Sequence, residues 1–201
     1  AYNVATRKPP AMNWTRLLPG AIAALLCLPG SASAVAEAPP PLEVGGHAFH
    51  RRTLENGLRA LAVRDTGSTF SVFVVVAAGK RQETPETNGL AHLTEHAMYA
   101  GTAAIPAGEH DRRIKAMPGE SNAYTRDDYT LYYDHRVPVD RLDEVLAMEA
   151  DRLRGLTLPD SAVLHERDRL TREEEKTWQP SDALRELVES SVYRVHAYRA
   201  G

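Results

Sequence analysis

The stretch Asn88–Thr102, N-G-L-A-H-L-T-E-H-A-M-Y-A-G-T, places His92, Glu95 and His96 in the order H-x-x-E-H. On a helix each residue advances about 100°, so His96 lies about 40° past His92 and Glu95 about 60° before it. Two imidazoles and a carboxylate then share one face, a turn apart. Zinc takes neutral imidazole nitrogens at about 2.0–2.1 Å and uses a nearby carboxylate to handle the proton of a bound water. The order is the reverse of the zinc-binding H-E-x-x-H. A satisfied His pair on an ordinary amphipathic helix would give the same letters. The setting favours the metal. Gly89 precedes the run, Gly101 follows it, and Leu90, Ala91, Leu93, Ala97 and Met98 surround the polar triplet. Polar groups embedded in so apolar a helix are costly unless something pairs them.

Upstream, residues 1–11 precede the first Met, Met12, so the true start is expected downstream of residue 1. Met12–Ala34 combines a basic start, a short apolar run and the small-residue site Ala32-Ser33-Ala34. This is the pattern of a bacterial-type signal peptide with cleavage after Ala34, and it predicts an exported, periplasmic or secreted protein. Pro19, Gly20 and Pro29 interrupt the run, and no stable membrane span is expected. The only cysteine, Cys27, lies inside it and is followed by bulky Leu28, which argues against a lipid anchor. The mature chain is therefore expected to have no cysteine, hence neither disulfide nor thiolate ligand. Removing residues 1–34 takes away Arg7, Lys8 and Arg16 and no acid, moving the formal charge from −3 to −6. A mildly acidic chain argues against nucleic acid as a partner.

The sequence divides into 1–34, a Pro-rich linker 35–46, and one domain over 47–201. H-A-F-H-R-R-T-L, Glu55-Asn56-Gly57 and L-R-A-L-A-V-R-D read as a hairpin with an Asn-Gly turn. Thr69–Ala78 is a continuous apolar run and predicts a strand buried on both faces. Ser121–Val137, dense in Tyr and Thr, reads as a strand or bent hairpin. Three helices follow. The first opens at Pro138 and carries Leu142, Val145, Leu146, Met148 or Glu149, Leu153 and Leu156 at helical spacing. The second runs from Pro159 to Trp178. The third opens after Pro180 with Ser181 as its expected cap. No internal repeat is present. Strands first and helices after, with antiparallel hairpins, define an α+β fold in which an antiparallel-rich sheet is layered with helices.

A catalytic zinc keeps three protein ligands and an open position. Without cysteine the third comes from the remaining His, Asp and Glu. The Pro159–Trp178 helix offers Glu166 and the cluster Glu173-Glu174-Glu175, with Glu166 and Glu173 on one face. Such a charged helix is also what a solvated face looks like, and spacing alone does not choose among these acids.

Leu54 to Gly201 resembles the pitrilysin/insulysin/mitochondrial-processing-peptidase family of zinc metallopeptidases. L-E-N-G-L-R, A-A-G-K-R-Q-E…N-G-L-A-H-L-T-E-H-A-M-Y-A-G-T, S-N-A-Y-T-R-D-D-Y-T-L-Y-Y and E-A-D-R-L…H-E-R-D-R-L-T-R-E-E-E carry the likeness. Met117-Pro118-Gly119-Glu120 departs from it, standing where the family has a Gly-rich turn. The resemblance implies His92, His96 and Glu173 as ligands of one Zn2+ per catalytic domain. It also implies Glu95 as general base, Glu166 as support for the distal ligand, and Asn122 and Ala123 on an edge strand that binds substrate backbone. The implied activity is endopeptidase hydrolysis of peptides or unfolded segments. The implied partners are the peptide and a second homologous half domain, on the same chain or another, and the chain is expected to be a fragment. Two other readings compete. A non-catalytic partner subunit of the family would lose a ligand or the base, and all four positions are filled. A metalloenzyme like S-ribosylhomocysteine lyase would need a Cys ligand and no export, and Cys27 lies in the segment expected to be removed.

Overall fold

A computed structural model describes residues 39–64, 66–84, 86–193 and 198, with the side chain of residue 186 left aside. The export segment and its cleavage site lie outside the described residues. Two compact units divide at Ser68/Thr69, inside the stretch that the sequence assigns to one domain.

The first unit is a three-stranded antiparallel sheet, β1 (Leu42–Val44), β2 (His47–Thr53) and β3 (Arg59–Val63), in that order. The Asn-Gly turn forms as the sequence predicts. Gly57 takes φ 85°, and the Asn56 Oδ1 accepts a hydrogen bond from the Leu58 amide at 3.1 Å. β1 falls within the Pro-rich stretch read as a linker: Leu42 pairs with Phe49 and Val44 with His47. Its prolines stop at Pro41, leaving three residues with amides free to enter a ladder.

The second unit holds a separate sheet of order β4-β6-β5, all antiparallel: β4 (Thr69–Val76), β5 (Glu120–Thr125) and β6 (Thr130–Pro138). The Tyr- and Thr-rich segment is thus a hairpin, closed by the Arg126 amide donating to the Tyr129 carbonyl at 2.8 Å. Helix α1 (Leu90–Ala97) lies between β4 and β5 in the chain, followed by α2 (Glu109–Ala116). Then come α3 (Leu142–Gly155), α4 (Asp160–Thr177) and α5 (Pro180–Val192). The core joins Ile114 of α2, Val137 of β6, and Val145 and Met148 of α3, with Phe70, Val72, Ile105 and Met117 packed on it. Among the described residues no helix is long and apolar enough to cross a membrane.

Three expectations need correction. β4 is not buried on both faces: burial alternates along it, and Phe73 and Val75 are 57% and 63% exposed. Only Phe70 and Val72 of that run meet the core. On α3 the buried face is Val145, Met148, Glu149 and Arg152, while Leu146 is exposed. Charged residues replace leucines there because they pair with one another. Finally, α5 is capped by Gln179 and not Ser181. The Gln179 amide donates to Asp182 Oδ2 at 2.8 Å, and Pro180 takes the first helical position, where no amide is needed.

Candidate metal centre

Helix α1 starts abruptly. Gly89 sits in the left-handed region at φ 85°, a conformation that favours glycine. Glu83, six residues earlier, accepts from the Gly89 amide at 2.9 Å and the Ala91 amide at 2.7 Å. A carboxylate thereby satisfies two orphan donors and opposes the positive end of the helix. With its start fixed, the helix presents His92, Glu95 and His96 toward α4, which packs against it.

The two imidazole rings stand edge to face, 4.9 Å between centroids. His96 Nε2 is 3.5 Å from Glu173 Oε2, and His92 Nε2 is 4.0 Å from Glu173 Oε1. Donors on zinc bonds of about 2.0–2.2 Å stand roughly 3.3–3.6 Å apart in a tetrahedron; the His96–Glu173 separation falls in that range, and the His92–Glu173 separation closes to it with a shift of a few tenths of an ångström. Burial lowers the His92 pKa against the pull of Glu95, which keeps the imidazole in its neutral, ligating form at neutral pH. The second nitrogen of His96 supplies an independent test. His96 Nδ1 is buried without a hydrogen-bond partner, yet Glu166 Oε2 lies 3.4 Å away. Metal-bound histidines use their other N–H on a carboxylate in this way.

Glu166 therefore faces His96, whereas the resemblance implies support for Glu173. Arg169 donates to its Oε2 at 2.8 Å. Glu95 is 8% exposed, and its Oε2 accepts a hydrogen bond from the Thr125 hydroxyl at 2.6 Å. No spacing rule pointed to Thr125, because it meets α1 only through packing of β5. Asn122 and Ala123 lie on β5, the edge of the described sheet. The exposed Asn122 turns its Oδ1 back to accept from the Ala123 amide at 2.9 Å.

Two histidines from one helix and a glutamate from another thus form a group able to hold a metal ion, with the Glu95 carboxylate beside them. The family model described as insulinase (Peptidase family M16) matches residues 59–200, and the chain belongs to that family. It is 30% identical over 150 residues to the uncharacterized zinc protease YmxG of Bacillus subtilis, covering 73% of this chain and 36% of the relative. It is 33% identical over 133 residues to the zinc protease PqqE of Helicobacter pylori, covering 65% and 29%. Bovine cytochrome b-c1 complex subunit 1 is 31% identical over 120 residues, covering 60% and 25%. The chain thus spans about a third or less of the length of these relatives. The crystal structure of a Helicobacter pylori protease superposes with TM-score 0.71 at 29% identity, over 76% of this chain and 37% of that one. Pitrilysin superposes with TM-score 0.66 at 20% identity, over 81% and 18%, and shares the fold.

Glu174 is the obvious rival to Glu173 as ligand. Burial raises the Glu174 pKa, and its charged neighbours include Lys80 and Glu83 as well as Glu173. Glu173→Gln is therefore expected to lower zinc content by about one ion per chain, and Glu174→Gln to leave it unchanged. Elemental analysis of the dialysed proteins checks this, and the reverse outcome would move the ligand by one residue.

Proposed function

We propose that the protein is a zinc-dependent endopeptidase acting on peptides or unfolded polypeptide segments. The observation that carries the reading is the convergence of His92, His96 and Glu173 beside Glu95, which is not one of the three donors. All ligands and the base are present, which a purely structural relative would not require. Zinc, when bound, acidifies a water and polarises the scissile carbonyl. Glu95 takes the proton of the attacking water and returns it to the leaving amine. Thr125 orients Glu95 by its 2.6 Å hydrogen bond. Glu166, with an oxygen 3.4 Å from His96 Nδ1, is placed to take that N–H when the other nitrogen holds the metal.

An extended substrate adds as a strand along β5, beside Asn122–Thr125. There a substrate carbonyl displaces the Asn122 side chain from the Ala123 amide. Main-chain pairing of this kind selects for extended conformation more than for side-chain sequence. The remaining contacts come from a second homologous half domain, in the same chain or a partner, consistent with the greater length of the relatives.

Loss of peptide hydrolysis on Glu95→Gln in the intact protein tests the reading. Thr125→Val provides a finer test. A hydrogen bond to a charged group is worth about 1.5–3 kcal/mol. Its loss is expected to lower kcat roughly 10-fold or more while zinc content and KM hold. Unchanged kcat would remove Thr125 from the account. Export is proposed from Met12–Ala34, and N-terminal sequencing of the exported form checks it. A start other than Val35 overturns the assigned cleavage site.

A further inference from the structure

Among the described residues a second group of metal-ligating side chains converges, wholly apart from the first: His110 of α2, Asp134 of β6 and Glu149 of α3. All three are buried, with Asp134 completely inaccessible. His110 Nε2 lies 3.1 and 3.2 Å from the two oxygens of Asp134 and 3.5 Å from Glu149 Oε1. We propose that His110, Asp134 and Glu149 form a second, structural metal site for a divalent transition cation of the zinc class.

The separations carry the argument. A charged histidine donating to carboxylates closes to about 2.7–2.9 Å. Several arginine and lysine pairs of this protein close that far, Arg112 to Glu109 and Arg152 to Glu149 at 2.6 Å and Lys115 to Asp111 at 2.7 Å, while Arg141 to Glu144 and His165 to Glu166 stay at 3.3 Å on the surface. The His110 contacts stay at 3.1–3.5 Å. The 3.5 Å to Glu149 falls within the roughly 3.3–3.6 Å between donors around a zinc ion and equals the separation of His96 and Glu173, while the two Asp134 contacts are at hydrogen-bond length. Nitrogen and carboxylate donors suit zinc and its first-row neighbours. Asp134 presents both oxygens almost equidistantly to His110 Nε2, and one ligand atom from each of the three residues lies within 4.8 Å of the others.

Charge agrees with a cation here. Two buried carboxylates face one guanidinium, that of Arg152, whose Nη2 reaches both Glu149 oxygens at 2.6 Å. Its Cζ lies 5.3 Å from the centre of the Tyr99 ring and 4.9 Å from that of Tyr132, which fixes the arginine on the Glu149 side. One negative charge is left for His110 and whatever it holds. The three ligands come from the same three elements that supply Ile114, Val137, Val145 and Met148 to the core. With all three ligands buried, the role of the site is to cross-link α2, β6 and α3.

The experiment counts zinc in the intact protein, loaded with zinc alone and dialysed against metal-free buffer. About two ions per chain are expected in the wild type, one in His96→Ala, one in Asp134→Asn and none in the double variant. A single ion lost in His96→Ala would overturn the proposal and leave a metal-free ion cluster. The wild-type count decides even if Asp134→Asn fails to fold. The two centres fail separately: one ion that survives His96→Ala and vanishes in Asp134→Asn would keep this site and remove the first.

Discussion

Glu95→Gln is expected to retain its zinc and to lose about 10²–10⁴-fold of its peptide hydrolysis, the range that general acid–base help supplies. Retention follows from geometry, since His92, His96 and Glu173 already make a three-donor set without Glu95. The loss follows from chemistry, since an amide cannot take a proton from water at neutral pH. The substitution keeps the side chain's shape, so Thr125 and the walls of the site stay in place. The measurement is kcat for an unstructured peptide alongside zinc content, on the intact protein. A fall in zinc together with activity would make Glu95 a ligand, and full activity would remove it from the chemistry.

Gly79→Ala is expected to cost about 3–5 kcal/mol of stability. The backbone at Gly79 is extended (φ −158°), which any residue adopts, so the difficulty is space. An added Cβ would overlap the Arg126 carbonyl oxygen and stand 2.8 Å from both the Asp127 carbonyl oxygen and the Tyr129 amide. All three are main-chain atoms of the tight β5–β6 turn and cannot swing aside. Relief would stretch the Lys80–Arg126 and Arg81–Asp127 backbone hydrogen bonds, now 3.1 and 2.8 Å. Two such bonds contribute about 1 kcal/mol each, and overpacking adds about 1–3 kcal/mol. Gly57→Ala is the contrast: its φ is 85° but nothing lies within 4 Å of the added carbon. There only the left-handed conformation is strained, at about 1–2 kcal/mol. Thermal melts of the two variants should rank in that order, and equal melting points would refute the steric argument. The same turn carries Thr125 on its β5 side, so Gly79→Ala should also lower hydrolysis.

What could be read from sequence follows from how far each contact reaches along the chain. His92, Glu95 and His96 share a helix, and the period of that helix alone places them together. Glu173 needed the resemblance to be chosen over Glu174, because a charged helix does not announce which face docks. Glu166 was found through the resemblance, but its place beside His96 Nδ1 was not legible. Seven residues separate it from Glu173, about 10.5 Å along a helix. One carboxylate therefore meets the His96 Nε2 side and the other the Nδ1 side. Thr125, the Glu83 cap and the His110–Asp134–Glu149 group left no local trace. The Glu83 cap reaches over an irregular loop, the others join separate elements, and no fixed spacing encodes either. The run Phe70–Val76 misled for a related reason. Strand composition reports apolarity, while packing decides which alternate side chains are covered.

Helix α4 contributes little apolar surface to its own docking: Leu170 is fully inaccessible, but Leu164 is 49% exposed and the other buried residue is Glu166. Its firmest attachments are the residues that meet the two histidines of α1. Capture of the ion and docking of the helix are then one thermodynamic event, each strengthened by the other. On the proposed zinc site, catalytic competence and the docked position of α4 would therefore rise and fall together.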